Sequence, residues 1–146
     1  MIKSVIIDDK ETYRERLREL IESDFAGRIQ VLAEADDVPG GLEIIYKHQP
    51  DLVFLDIEMP GGTGFDLLEK IGTVKFDVIF MTVHQDYALR AIKFSALDYL
   101  LKPIDREELQ NAVKKALQTL ERPKSQQIEV LPLRFTYKKS VSSKRK

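Results

Sequence analysis

The chain has 146 residues, 43% hydrophobic and 32% charged, and no cysteine. That size and balance fit one globular domain with a core of its own, and the absence of cysteine excludes a disulfide framework, a thiol nucleophile and a Cys-based metal site. The formal net charge of −1 hides an asymmetry: residues 1–121 carry 15 basic and 23 acidic side chains, net −8, and residues 122–146 carry 8 basic and one acidic, net +7.

The apolar runs are far shorter than the roughly 20 residues a membrane span needs. The opening "MIKSVIIDD" meets two acids too early for a secretory signal. The expected location is the cytoplasm.

Taken in chain order, short apolar runs alternate with stretches of helical period. "SVII" ends at Asp8-Asp9, and Tyr13, Leu17, Leu20 and Ile21 then fall on one helical face. "IQVLAEA" reads as a second strand. "DVPGGLEIIYKH" places Leu42, Ile45 and Tyr46 on one side of a helix that Gly40 and Gly41 weaken, each by about 1 kcal/mol relative to Ala. "LVFLD" is the third strand, and "GFDLLEKIG" follows with Phe65, Leu68 and Ile71 inward and Gly72 as a stop. "DVIFMT" and "DYALRAIKF" make the fourth pair. "DYLLKP" is the fifth strand, and the last helix has Asp105 as cap, Glu107 and Glu108 at its positive end, and a stripe of Leu109, Val113, Ala116, Leu117 and Leu120. Five such units predict an α/β fold: a doubly wound, flavodoxin-like parallel sheet of order 2-1-3-4-5 with helices on both faces. Pro123 is expected to close the last helix, leaving residues 123–146 as a basic linker or tail.

In a parallel sheet the carboxyl ends of all strands share one edge, and ligands bind there. The residues ending the runs are Asp8-Asp9, Asp56, Thr82 and Lys102-Pro103. Three carboxylates, a hydroxyl and an ammonium therefore converge. Each ionised carboxylate pair at about 4 Å costs about 4 kcal/mol at an effective dielectric near 20, so a bound cation or a raised pKa is required. All-oxygen donors suit Mg2+ held by Asp8, Asp9 and Asp56. A phosphoryl group can then approach, with Lys102 neutralising one oxygen and Thr82 hydrogen-bonding another. Asp56, single in the middle run, is the candidate nucleophile for an aspartyl phosphate.

These residues carry a family resemblance. From Met1 to about Arg122, the chain resembles a bacterial response-regulator receiver domain, on "IIDD", "DIEMPGGTG", "MT" and "DYLLKP" taken in that order. The resemblance implies that Asp56 takes a phosphoryl group from a sensor histidine kinase, and that the Glu58 backbone carbonyl joins Asp8 and Asp9 on Mg2+. It implies a switch pair, Thr82 and Tyr99, whose movement repacks the face of helix four, strand five and helix five, through which a homodimer forms. "HQDYALRAIKFSALDYLLKPI" further resembles receivers of the LytTR-type subfamily, which carry a DNA-binding domain after the receiver. This chain has no room for that domain, so DNA contact is expected only through an output domain outside it. Val83, bulkier than the small residue common after the switch threonine, and Glu58 and His84, two residues beyond Asp56 and Thr82, bear on access to the site and on phosphate lifetime.

Rival readings differ in what they require. A Mg2+-dependent phosphatase with an Asp nucleophile would place Asp-x-Asp after the first strand and add a cap domain, where this chain has adjacent acids and no cap segment. A flavin module needs a phosphate-binding loop where "DDKETY" stands. A receiver used as an interaction module without phosphorylation has no need of the full acidic set. His48 and His84 are read as solvated surface histidines. The tail segment "QIEVLPLRFTY" alternates like a strand, which suggests pairing with a neighbouring chain, and its basic end suggests contact with nucleic-acid phosphates.

Overall fold

A computed structural model of the chain describes residues 1–120. The expectations for Pro123 and the basic tail lie outside the described residues. Five strands, β1 (Ile2–Ile7), β2 (Ile29–Ala35), β3 (Leu52–Asp56), β4 (Asp77–Thr82) and β5 (Asp98–Leu101), alternate with α1 (Glu11–Asp24), α2 (Val38–His48), α3 (Gly64–Ile71), α4 (Ala88–Lys93) and α5 (Arg106–Leu120). All neighbouring pairs are parallel, in the order β2-β1-β3-β4-β5. A two-residue ribbon, Glu58–Met59 against Gly62–Thr63, interrupts the alternation just after β3.

The central strands are apolar on both faces because each face carries a helical layer. Ile6, Leu52, Phe54, Ile79 and Met81 point to one side, where α1 and α5 bring Leu17, Leu20, Leu109, Ala112 and Val113. The alternate residues Val5, Ile7, Val53, Leu55 and Phe80 point to the other, where α2 and α3 bring Ile45, Phe65, Leu67 and Leu68. Arg90 of α4 lies over the Phe65 ring, 4.3 Å from its centre, and Phe94 stacks on that ring at 5.2 Å. Among the described residues no helix is long and apolar enough to cross a membrane.

Two glycines allow close packing. A Cβ on Gly41 would sit 2.7 Å from Leu67 Cδ1 and 3.0 Å from Ile7 Cδ1, and one on Gly64 would sit 2.5 Å from the Asp56 carbonyl oxygen. The helix-weakening pair in α2 therefore includes a residue that lets the helix lie on the sheet. Asp37 adds a cap, accepting from the Gly40 N–H at 2.7 Å. Asp105 caps α5 as expected, accepting from the Glu108 N–H at 3.0 Å.

Two sequence expectations are corrected. Tyr46 is 60% exposed, because α2 turns Val38, Gly41 and Ile45 inward instead. Tyr13 is only half-buried and faces the end of the sheet, not the core. At the start of α1, Lys10 holds the N-cap position and makes no side-chain cap, and its N–H donates to Asp8 Oδ1 at 2.9 Å. Arg14 anchors that helix start, donating to the Asp8 carbonyl at 2.7 Å and to Glu34 at 3.1 Å.

Candidate functional site

Parallel pairing brings the strand ends together at one edge. Asp8 follows β1, Asp56 ends β3, Thr82 ends β4 and Lys102 follows β5. The Lys102 N–H donates to the Thr82 carbonyl at 2.7 Å, extending the β4–β5 ladder to the lysine. Asp8, Asp56 and Thr82 are buried, and the Lys102 side chain is 4% exposed. Its ammonium lies 2.6 Å from Asp8 Oδ2 and 3.2 Å from Asp56 Oδ1. A lysine before a proline would ordinarily be a solvated loop residue; here burial between two carboxylates holds it. The peptide that follows it, Lys102–Pro103, is cis. A cleft of about 340 Å³ opens over these groups, walled by Asp9, Asp56, Thr82, Lys102, Val83 and Tyr13.

The electrostatics are those of an incompletely neutralised anionic pocket. Burial first, and the Asp8 charge second, raise the Asp56 pKa to about 7, against an opposing pull from Lys102. The Asp8 Oδ2 atom is buried, with the Lys102 ammonium as its charge partner and no second donor beside it among the described residues. Asp8, Asp9 and Asp56 each present an oxygen, all within 4.8 Å of one another. Three carboxylates gathered around one buried ammonium are a donor set that a hard divalent cation satisfies. Asp9 also lies 3.6 Å from the Lys10 ammonium.

The β4–α4 loop closes one side of the cleft. The Thr82 hydroxyl oxygen accepts from the His84 N–H at 3.1 Å, so its proton stays available to a ligand. The Tyr99 hydroxyl donates to the His84 carbonyl, with the ring half-buried against the α2–α3–α4 side of the core. His84 is surface-exposed, as read, but it has a partner: its Nε2 lies 2.9 Å from Glu58 Oε1. The Tyr87 hydroxyl donates to the other Glu58 oxygen at 2.5 Å. Val83 is 56% exposed on the rim.

The structure thus gathers Asp8, Asp9, Asp56, Thr82 and Lys102 into one pocket, sets Glu58, Val83 and His84 at its lip, and links Tyr99 to it through the His84 backbone. Sequence reasoning missed Arg14, Tyr87 and the place of Tyr13. Arg14 and Tyr13 looked like parts of an ordinary amphipathic helix, and no periodic signal marks a ring that faces a neighbouring loop. The signal for Arg14 was a guanidinium six residues after an acid, on the first turn of a helix without a capping side chain.

Residues 5–114 match the response regulator receiver domain family. The chain belongs to that family, whose members are signalling switches and not metabolic enzymes. It is 40% identical over 118 residues to an uncharacterized response regulatory protein of Vibrio cholerae, covering 80% of this chain and 49% of that protein. It is 35% identical over 132 residues to the sensory transduction protein LytT of Bacillus anthracis, covering 89% and 51%. The receiver domain of AraT, a response regulator from Geobacillus stearothermophilus, superposes with a TM-score of 0.75 at 34% identity, covering 82% of this chain and 95% of that one. The chain spans about half the length of the curated relatives it matches. The LytT relatives agree with the LytTR-type resemblance of its sequence.

Proposed function

We propose that the chain is the phosphoacceptor module of a two-component response regulator, with Asp56 receiving a phosphoryl group from a sensor histidine kinase. The observation that carries this reading is the Asp56 carboxylate at the floor of an open cleft, 3.2 Å from the Lys102 ammonium. In the transfer, an Asp56 oxygen bonds phosphorus while the bond to the donor imidazole nitrogen breaks, and the imidazole takes a proton as it leaves. Lys102 follows the charge that moves from the carboxylate to the phosphoryl oxygens. The Thr82 hydroxyl donates to another of those oxygens. Mg2+, held by Asp8, Asp9, Asp56 and the Glu58 backbone carbonyl, would supply charge neutralisation on the phosphoryl group.

Movement of Thr82 then draws on the His84 backbone, to which Tyr99 is bonded, and repacks the α4–β5–α5 face, through which two copies associate. Residues 1–122 form this receiver, and residues 123–146 lead to an output domain outside the chain, of the DNA-binding kind in LytTR-type regulators. The output is transcription and the setting is the cytoplasm. Val83, Glu58 and His84 govern access of small donors and attacking water.

Intact mass after incubation with acetyl phosphate and Mg2+ tests the core of this reading. The expected result is a gain of about 80 Da, one phosphoryl group, absent in Asp56→Asn and absent with chelator. A gain that survives Asp56→Asn moves the nucleophile elsewhere. Folded protein that takes up neither phosphate nor beryllofluoride overturns the phosphorylation reading and leaves a protein-interaction role.

A further inference from the structure

Lys102 is a buried ammonium, and two carboxylates do not account for its whole surroundings. Asp8 Oδ2 and Asp56 Oδ1 approach it at 2.6 and 3.2 Å. The ring of Tyr13 covers a further side, its centre 4.4 Å from Nζ. That distance is within the range in which an aromatic face attracts a cation, and the attraction strengthens as water is excluded. The backbone beneath the ring is held by its neighbour. Arg14 ties the first turn of α1 to the Asp8 carbonyl at 2.7 Å and to Glu34 at 3.1 Å, which keeps Tyr13 beside the end of β1. Tyr13 also walls the cleft over Asp56.

The chemistry of a ring suits this place better than a polar side chain would. An aromatic face attracts the ammonium without taking a directional hydrogen bond. Lys102 can therefore turn from a carboxylate oxygen to a phosphoryl oxygen with nothing broken on the ring side. A carboxylate or amide there would compete for its protons, and an aliphatic group would leave one side of the ion without attraction.

We propose that Tyr13 is a positioning residue for Lys102, its ring holding the ammonium against Asp8 and Asp56 and keeping it free to follow the transferred phosphoryl group. The role in transfer rests on the phosphorylation reading above; the ring–ammonium contact does not.

The test compares full-length wild type, Tyr13→Phe and Tyr13→Leu. The first readout is the Lys102 ε-methylene resonance in protein without Mg2+, assigned with Lys102→Arg. Ring current should move it upfield of exposed Lys93 in wild type and Tyr13→Phe, and the displacement should vanish in Tyr13→Leu. The second readout is the initial rate of mass gain at subsaturating acetyl phosphate with Mg2+. It should fall about three- to tenfold in Tyr13→Leu, and Tyr13→Phe should restore most of that loss. A Lys102 resonance unmoved by Tyr13→Leu overturns the contact. A lost displacement with an unchanged rate overturns the role in transfer. If wild type takes up no phosphoryl group, the phosphorylation reading fails, and the resonance alone decides whether the ring positions Lys102.

Discussion

Gly64, the first residue of α3, offers a direct test of how packing fixes Asp56, the proposed phosphoacceptor. A Cβ there would stand 2.5 Å from the Asp56 carbonyl oxygen and 2.9 Å from Leu55 Cγ, where real Cβ contacts essentially never fall under 3.0 Å. The Gly64 N–H also donates to the Ile57 carbonyl at 2.8 Å, which pins the two segments together. Gly64→Ala must therefore push the backbone at Asp56 by about half an ångström. Overpacking of this kind costs about 3 kcal/mol, and the helix propensity gained returns up to about 1 kcal/mol. The expected net loss is about 2 kcal/mol, or about 6–10 °C in a thermal melt for a domain of this size.

Because the displaced atoms belong to Asp56, the rate of acetyl phosphate uptake should fall as well, by about tenfold. Gly41→Ala is the comparison. Its near contacts are the tips of Leu67 and Ile7 side chains, which can yield, so it should cost about 1 kcal/mol and leave phosphorylation unchanged. If Gly64→Ala melts within a degree or two of wild type, or proves milder than Gly41→Ala, the backbone-contact argument is wrong.

Other consequences follow from the charges. The Asp56 carboxyl is raised in the fold to about 7 from an unfolded value near 3.8, so the folded state holds a proton that the unfolded chain has released. Without Mg2+, its contribution to stability should be fully present below about pH 3.8, decline as pH rises through the window to about 7, and stay lost above it. Urea melts should show Asp56→Asn gaining on wild type across that window by a few kcal/mol; parallel pH curves would refute the assignment. Lys102→Ala leaves Asp8 and Asp56 facing one another, so Mg2+ affinity by titration calorimetry should rise while phosphorylation falls at least tenfold. Arg14→Ala removes the side-chain bonds from the first turn of α1 to the Asp8 carbonyl and to Glu34 and should cost about 1–2 kcal/mol in a denaturant melt.

The comparison of sequence with structure separates along a physical line. The strands were legible as short apolar runs closed by polar residues, and Leu52–Leu55 is apolar throughout because its alternate residues enter opposite layers. The strand order and the convergence of Asp8, Asp56, Thr82 and Lys102 followed from right-handed crossovers and a common carboxyl edge, which hold whatever the side chains do in detail.

The tertiary structure alone decided which groups touch across elements. Tyr13 shares a helical stripe with Leu17 and Leu20, yet its ring meets Lys102, 89 positions further along the chain. His84 looked like a lone surface histidine until the ribbon after β3 placed Glu58 beside it. Tyr46 shared a face with Ile45 in the pattern and lies outside because Gly41, not an aromatic residue, sits against the sheet. Helical period specifies a direction from an axis. It does not specify how far that axis stands from the sheet, or what a loop from another strand places opposite, and those distances set the contacts around Lys102.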